Sequence, residues 1–148
     1  MKLIFTKEFL RNLFTFRWPS VFKEIKWFIQ RGRRGYSDVD TLNINSYLCN
    51  IIPLMVRSIK ENHLGCPGDV FDAKRVNDEC WKWNIILEEI AQGFEAGKDI
   101  GDSNYFKVKK YKDIGYEHII DKKRQAQLTK KYDRGMELFV KHFWGLWD

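Results

Sequence analysis

The sequence predicts an all-α protein, a compact bundle of four to five helices with a short hairpin or irregular arm near residues 98–120. Three observations carry this. Apolar residues recur at three- and four-residue intervals through most of the chain, which is the helical period. Glycine and proline fall between the patterned stretches, as punctuation. Two-residue alternation is confined to one segment, Tyr105-Phe106-Lys107-Val108-Lys109-Lys110-Tyr111-Lys112.

The first helix is expected over residues 6–14. A second follows Trp18-Pro19-Ser20, because proline suits the first helical turn. Its apolar face is Val21, Phe22, Ile25, Phe28 and Ile29, and Gly32 is expected to stop it. Ser37 opens the next element. Ser37 and Asp40 have capping-box spacing, and Asp38 and Asp40 fall where the helix dipole favours negative charge. A long helix is expected over residues 44–61, burying Tyr47, Leu48, Ile51, Ile52, Met55 and Ile59. Pro53 inside it removes one backbone donor and should kink it. The run His63-Leu64-Gly65-Cys66-Pro67-Gly68 is a turn.

A third long helix is expected over residues 73–96, with Trp81, Ile85, Leu87, Ile90, Ala91 and Phe94 on its apolar face. Gly93 inside that helix costs about 1 kcal/mol against alanine. Its presence implies the close approach of another backbone or of a ligand. Gly101-Asp102-Ser103-Asn104 is loop-like, and the alternating segment that follows suits a strand or hairpin arm. The last helix is expected over residues 121–147, where Leu128, Tyr132, Met136, Phe139, Phe143 and Trp147 share a face.

At 148 residues, with 44% apolar and 16% aromatic content, the chain can bury a core as one domain over residues 1–148. The aromatic load exceeds what a small bundle needs, so some rings should face a partner. The longest apolar run, residues 51–56, contains Pro53 and is far short of the roughly 20 residues that cross a bilayer. The N-terminal stretch is broken by Lys7, Glu8 and Arg11 and lacks the continuous core of a signal peptide. The expected location is therefore the host cytoplasm, with no membrane partner. Three cysteines, Cys49, Cys66 and Cys80, form no CxxC pair, and reduced thiols are expected. His63, Cys66 and Cys80 make only an incomplete zinc set, so neither metal nor cofactor is expected.

Net charge is +6 and uneven. Residues 1–35 hold nine Lys/Arg against two Glu, residues 36–104 six against twelve acids, and residues 105–148 eleven against six. The ends are basic and the middle acidic. Either the oppositely charged parts complement each other, or a basic surface awaits an anion.

The densest polar chemistry lies in Arg33, Arg34, Tyr36, Ser37, Asp38 and Asp40. The arginines could clamp the carboxylates and tie two helices together. Alternatively, guanidinium groups beside a helix start make an anion site, with Tyr36 to stack and Asp38 or Asp40 to hold hydroxyls. His63 and Gly93 are accessory candidates. Catalytic motifs such as a nucleophile elbow, a P-loop or HExxH are missing from the sequence. The alternating segment mixes lysines and rings as single-strand binders do, although no known nucleic-acid module accompanies it.

Several of these residues resemble a widespread family of small proteins of unknown function encoded by tailed bacteriophages. The likeness rests on Arg34-Gly35-Tyr36-Ser37-Asp38-Val39-Asp40, Asn43-Ile44-Asn45-Ser46-Tyr47-Leu48, Gly65-Cys66-Pro67, Trp83-Asn84-Ile85-Ile86-Leu87, Gly93-Phe94-Glu95 and Phe143-Trp144-Gly145-Leu146-Trp147-Asp148. Leu42 and Cys66 stand where the family has rings. The resemblance implies phage origin and transfers no activity.

The expected function is that of a non-enzymatic accessory protein that captures a small anionic, nucleotide-like ligand or a host protein, in a counter-defence role. A homo-oligomer is compatible with it. One alternative is a metal-assisted phosphoester hydrolase using Asp38, Asp40 and His63. Another is a virion or DNA-associated component that binds through the basic ends.

Overall fold

In the computed structural model, five α-helices and one β-hairpin account for most of the described residues, which are 18–74, 80–111 and 115–146. The protein is thus mainly helical with a short antiparallel arm. The helix expected over residues 6–14 lies outside the described residues. No described helix is long and apolar enough to cross a membrane. The chain divides into two compact units, residues 1–44 and residues 45–148.

In the first unit, α1 spans Trp18–Arg34 and α2 spans Asp38–Leu42. Gly32 does not end α1. The helix runs on to Arg34, and Gly35 ends it in the left-handed region, at φ 81°, with its N–H bonded to the Arg31 carbonyl at 3.0 Å. Two glycines stand near this terminus, and only the one that needs positive φ marks the stop. Ser37 then caps α2 through the expected box with Asp40.

The second unit contains nearly all of α3 (Ile44–Asn62), then α4 (Trp81–Gly101), β1 (Phe106–Tyr111), β2 (Gly115–Ile120), α5 (Lys122–Lys141) and a 3-10 turn, Phe143–Gly145. Its core is Cys49, Val56, Val70, Trp83, Leu87, Ile90, Phe94 and Leu138. Helix α3 is continuous through Pro53, which is itself buried. Its inward face only partly matches the expected stripe, of which Ile52 and Ile59 pack against the core. Cys49, Pro53 and Val56 are buried, whereas Leu48 and Met55 are exposed. The helix is apolar around much of its circumference, so periodicity alone left its rotation undetermined. The packed side is the one that sends Cys49 Sγ toward Gly97 of α4.

Helix α4 starts at Trp81 rather than near residue 73 and continues past residue 96 to Gly101. Its expected face holds for Leu87, Ile90, Ala91 and Phe94, but Ile85 is exposed and Trp83 takes the buried place. Trp83 packs edge-on to His142 at 5.5 Å. The expectation of reduced thiols fails at two positions. Cys66 and Cys80 form a disulfide with Cα atoms 5.6 Å apart, and Cys49 is the free, buried cysteine. An odd cysteine count says nothing about which sulfurs the fold brings together.

Helices α4 and α5 touch backbone to backbone. A Cβ built on Gly93 would sit 2.5 Å from Gly135 Cα, and the reverse contact is equally short. Of the two reasons foreseen for Gly93, a neighbouring backbone is the one observed. One residue row further on, Phe94 meets Phe139 edge-to-face at 5.1 Å. Helix α5 ends at Lys141, earlier than expected, and Asp121 caps its start by accepting from the Arg124 N–H at 3.1 Å. The hairpin pairs Phe106 with Ile120 at its base and Tyr111 with Gly115 near its tip.

Candidate functional site

The polar stretch around residues 31–40 splits into a buried knot and an exposed rim. Asp40 is the centre of the knot and is only 8% exposed. Its Oδ2 accepts from the Ser37 backbone N–H at 2.7 Å and from the Ser37 hydroxyl at 2.7 Å. Arg31 donates to the same carboxylate through Nε (2.9 Å) and Nη2 (2.6 Å), a two-pronged pair. The Arg31 hydrogen bonds hold the Asp40 carboxyl down at about 2, against the opposing effect of burial, and Ser37 adds to that pull. Ser37 is fully buried.

The rim is built on Asp38, which is half exposed. Asp38 exchanges two hydrogen bonds with the Gln30 amide: Gln30 Nε2 donates to its carboxylate at 2.7 Å, and the Asp38 N–H donates to Gln30 Oε1 at 2.9 Å. Arg34 and Lys26 complete its set of donors. Hydrogen bonding from Gln30, then Arg34 and Lys26, keeps this carboxyl far below the usual carboxylate range. Arg34 Nε also donates to the Tyr36 carbonyl at 3.0 Å, and its guanidinium lies 4.7 Å from the centre of the Tyr36 ring. Arg33 and Tyr36 are exposed beside it.

The residues singled out in sequence do not include all the partners in this loop. Gln30, Arg31 and Lys26 were missed. Arg34 lies four residues after Gln30 and three after Arg31 on α1, so each neighbours it on that side of the helix. The reversal at Gly35 returns the chain beside that face. That spacing was readable, but the reversal was not.

His63 and Gly93 belong to the second unit. His63 Nε2 lies 2.8 Å from Asn84 Oδ1, a bond between α4 and the residue that follows α3. Gly93 serves the helix crossing described above. His142 is 5% exposed, and burial lowers its pKa. His118 is exposed on the hairpin. The incomplete zinc set dissolves, because Cys66 and Cys80 are spent in the disulfide. Among the described residues no group of three or more His, Cys, Asp or Glu is arranged to hold a metal ion.

An open groove of about 410 Å³ in the second unit is lined by residues including Arg57, Glu88, Gln92, Glu95 and Lys131. Its charges are mostly paired. Arg57 reaches both Glu95 (2.5 Å) and Glu88 (2.9 Å), and Lys60 also bonds Glu88 at 2.9 Å. Arg57 and Lys60 hold the Glu88 carboxyl at about 2, and the two glutamates push the Arg57 guanidinium higher still. This network ties α3 to α4. No protein-family model, curated protein or solved structure matches the chain.

Proposed function

We propose that this chain is an accessory binding protein, encoded by a tailed phage as its sequence resemblance implies, which captures an anionic, nucleotide-like ligand. The observation that carries the reading is the Arg34–Tyr36 pair. A guanidinium stacked on an exposed ring, with Arg33 beside it, offers a planar cation for phosphate and an aromatic face for a base. Buried Ser37 and Asp40, tied to the part-exposed Arg31, fix the turn that presents this pair. Sequestering a nucleotide-derived signal in the host cytoplasm would be counter-defence by capture.

The hydrolase reading finds less support. Asp38 and Asp40 are both held ionised well below the ordinary range, which makes them weak proton acceptors near neutral pH. The test is a thermal-shift and calorimetric screen against mono-, di- and cyclic nucleotides. A binding nucleotide raises the melting temperature of the wild type, and Arg34→Ala and Tyr36→Ala reduce the effect. If no nucleotide shifts the wild type, or both variants respond as it does, the reading fails.

A second reading, capture of a host protein, rests on a different observation. Val140, Phe143 and Trp144 are exposed together where α5 ends, Trp144 at 87%. Exposed aromatic anchors of this kind dominate protein interfaces. On this reading, Trp144→Ala abolishes co-elution with the host partner while leaving the melting temperature unchanged.

A further inference from the structure

We infer that the β-hairpin and the first turns of α5 form a docking surface for single-stranded nucleic acid. This surface lies in the second unit and is independent of the Arg34–Tyr36 pair. The inference starts from how the hairpin uses its residues. A two-stranded hairpin is marginally stable in water unless something packs on it. Here the side chains of residues 106–109 and 116–120 are all exposed.

The register arranges those side chains. Phe106 pairs with Ile120 and Val108 with His118, and Tyr116 lies two residues before His118, which puts these five positions on one face of the ribbon. Phe106, His118 and Tyr116 thus form a row of rings along that face. Phe106 meets His118 edge-on at 6.2 Å, and Tyr105 stacks on Phe106 at 4.8 Å. Tyr116 is 68% exposed. Exposed rings in a row offer stacking surfaces to successive bases, and only unpaired bases present a free face to them.

Cations adjoin the row. Ile120 is followed by the cap Asp121 and then by Lys122, Lys123 and Arg124. Chain length alone places the Lys123 Cα within about 11 Å of the Ile120 Cα, at the base of the hairpin. The first turn of α5 contains no acid, although the helix dipole disfavours positive charge there. Arg57, Lys60, Lys107 and Arg134 of this unit bond carboxylates, and Arg124 lies 3.9 Å from Asp99. Lys122, Lys123 and Lys130 are exposed, with no carboxylate partner among the described residues. Lys122 and Lys130 line a shallow trough of about 480 Å³ along α5, together with Gln125, Ala126 and Thr129 and with Asp133 beyond Lys130. Eight residues of helix span about 12 Å, so the trough offers a backbone two separated phosphate contacts. The occupant that matches both a ring row and unmatched lysines is a polyanion with unpaired bases.

The experiment is fluorescence anisotropy on the full chain with a labelled oligo-dT of about 20 nucleotides, compared with a duplex of equal length. Binding is expected at about 50 mM salt, and it should weaken steeply as salt rises. The duplex should bind less tightly. Lys122→Glu with Lys123→Glu should weaken binding by about tenfold or more and flatten the salt dependence. Tyr116→Ala should weaken it about fivefold or more through lost stacking. All these side chains are exposed, so circular dichroism should show the variants folded. Arg34→Ala, the probe of the nucleotide site, should leave strand binding unchanged. Absence of oligonucleotide binding at low salt overturns the inference. So does duplex binding as tight as single-strand binding, or wild-type affinity in both the charge-reversed and Tyr116→Ala proteins.

Discussion

Asp40 accepts from the Ser37 N–H, the Ser37 hydroxyl and the Arg31 guanidinium, so its removal strands donors of which Ser37's are fully buried. Asp40→Ala should therefore cost about 2 kcal/mol in urea unfolding, the scale of a buried donor left unmade plus a lost cap. Asp38→Ala removes contacts to Gln30, Arg34 and Lys26, but from a solvent-screened carboxylate, and the urea midpoint should barely move. Equal losses from the two variants would contradict the division into knot and rim. Ser37 and Asp40 were legible as a capping box because that motif is local. Arg31 was not, because its bond spans nine residues across a chain reversal. Of the two arginines singled out in sequence, Arg34 bonds Asp38 instead.

The α4–α5 crossing is governed by two missing side chains. With a built Gly93 Cβ only 2.5 Å from the Gly135 backbone, Gly93→Ala or Gly135→Ala must push the helices apart. Each should cost about 2 kcal/mol or more, as overpacking does. Gly32 supplies the contrast. It lies within α1 with nothing within 4 Å of a built Cβ, so Gly32→Ala should gain about 0.5–1 kcal/mol from helix propensity. Urea or thermal melts of the three variants test the pair of signs. The price of a mid-helix glycine had announced a close approach, but sequence left its partner open between a backbone and a ligand. Element boundaries were less legible where structure depends on distant contacts. Helix α4 begins directly after Cys80, which the disulfide holds to Cys66, and no local propensity encodes that tie.

For the whole molecule, acid stability should follow two titrations of the same sign in different pH windows. Asp40 and Glu88 both have carboxyls lowered to about 2, from ordinary values of 3.8 and 4.5. The unfolded chain takes up these protons first, so both groups contribute fully above about pH 4.5 and lose their contribution as pH falls toward about 2. His142 is lowered from 6.5 by burial, and the nearby Asp69 only partly offsets this. The unfolded chain therefore protonates this histidine first as well, and stability should begin to fall below about pH 6.5. Melting temperature against pH should show both limbs, and His142→Phe should remove the upper one. A flat profile from pH 7 to 4.5 in the wild type would contradict a neutral, buried His142. The uneven charge and the aromatic excess were legible from composition, but their pairing was not. By itself, the sequence determined the helical class, the place of a short arm, the Ser37 cap and a close approach at Gly93, because periodicity, capping and glycine cost act over a few residues. Tertiary structure alone decided which side of α3 faces inward, which cysteines join, which arginine holds Asp40 and which lysines stay unmatched. Each of those outcomes depends on residues far apart in the chain meeting in space.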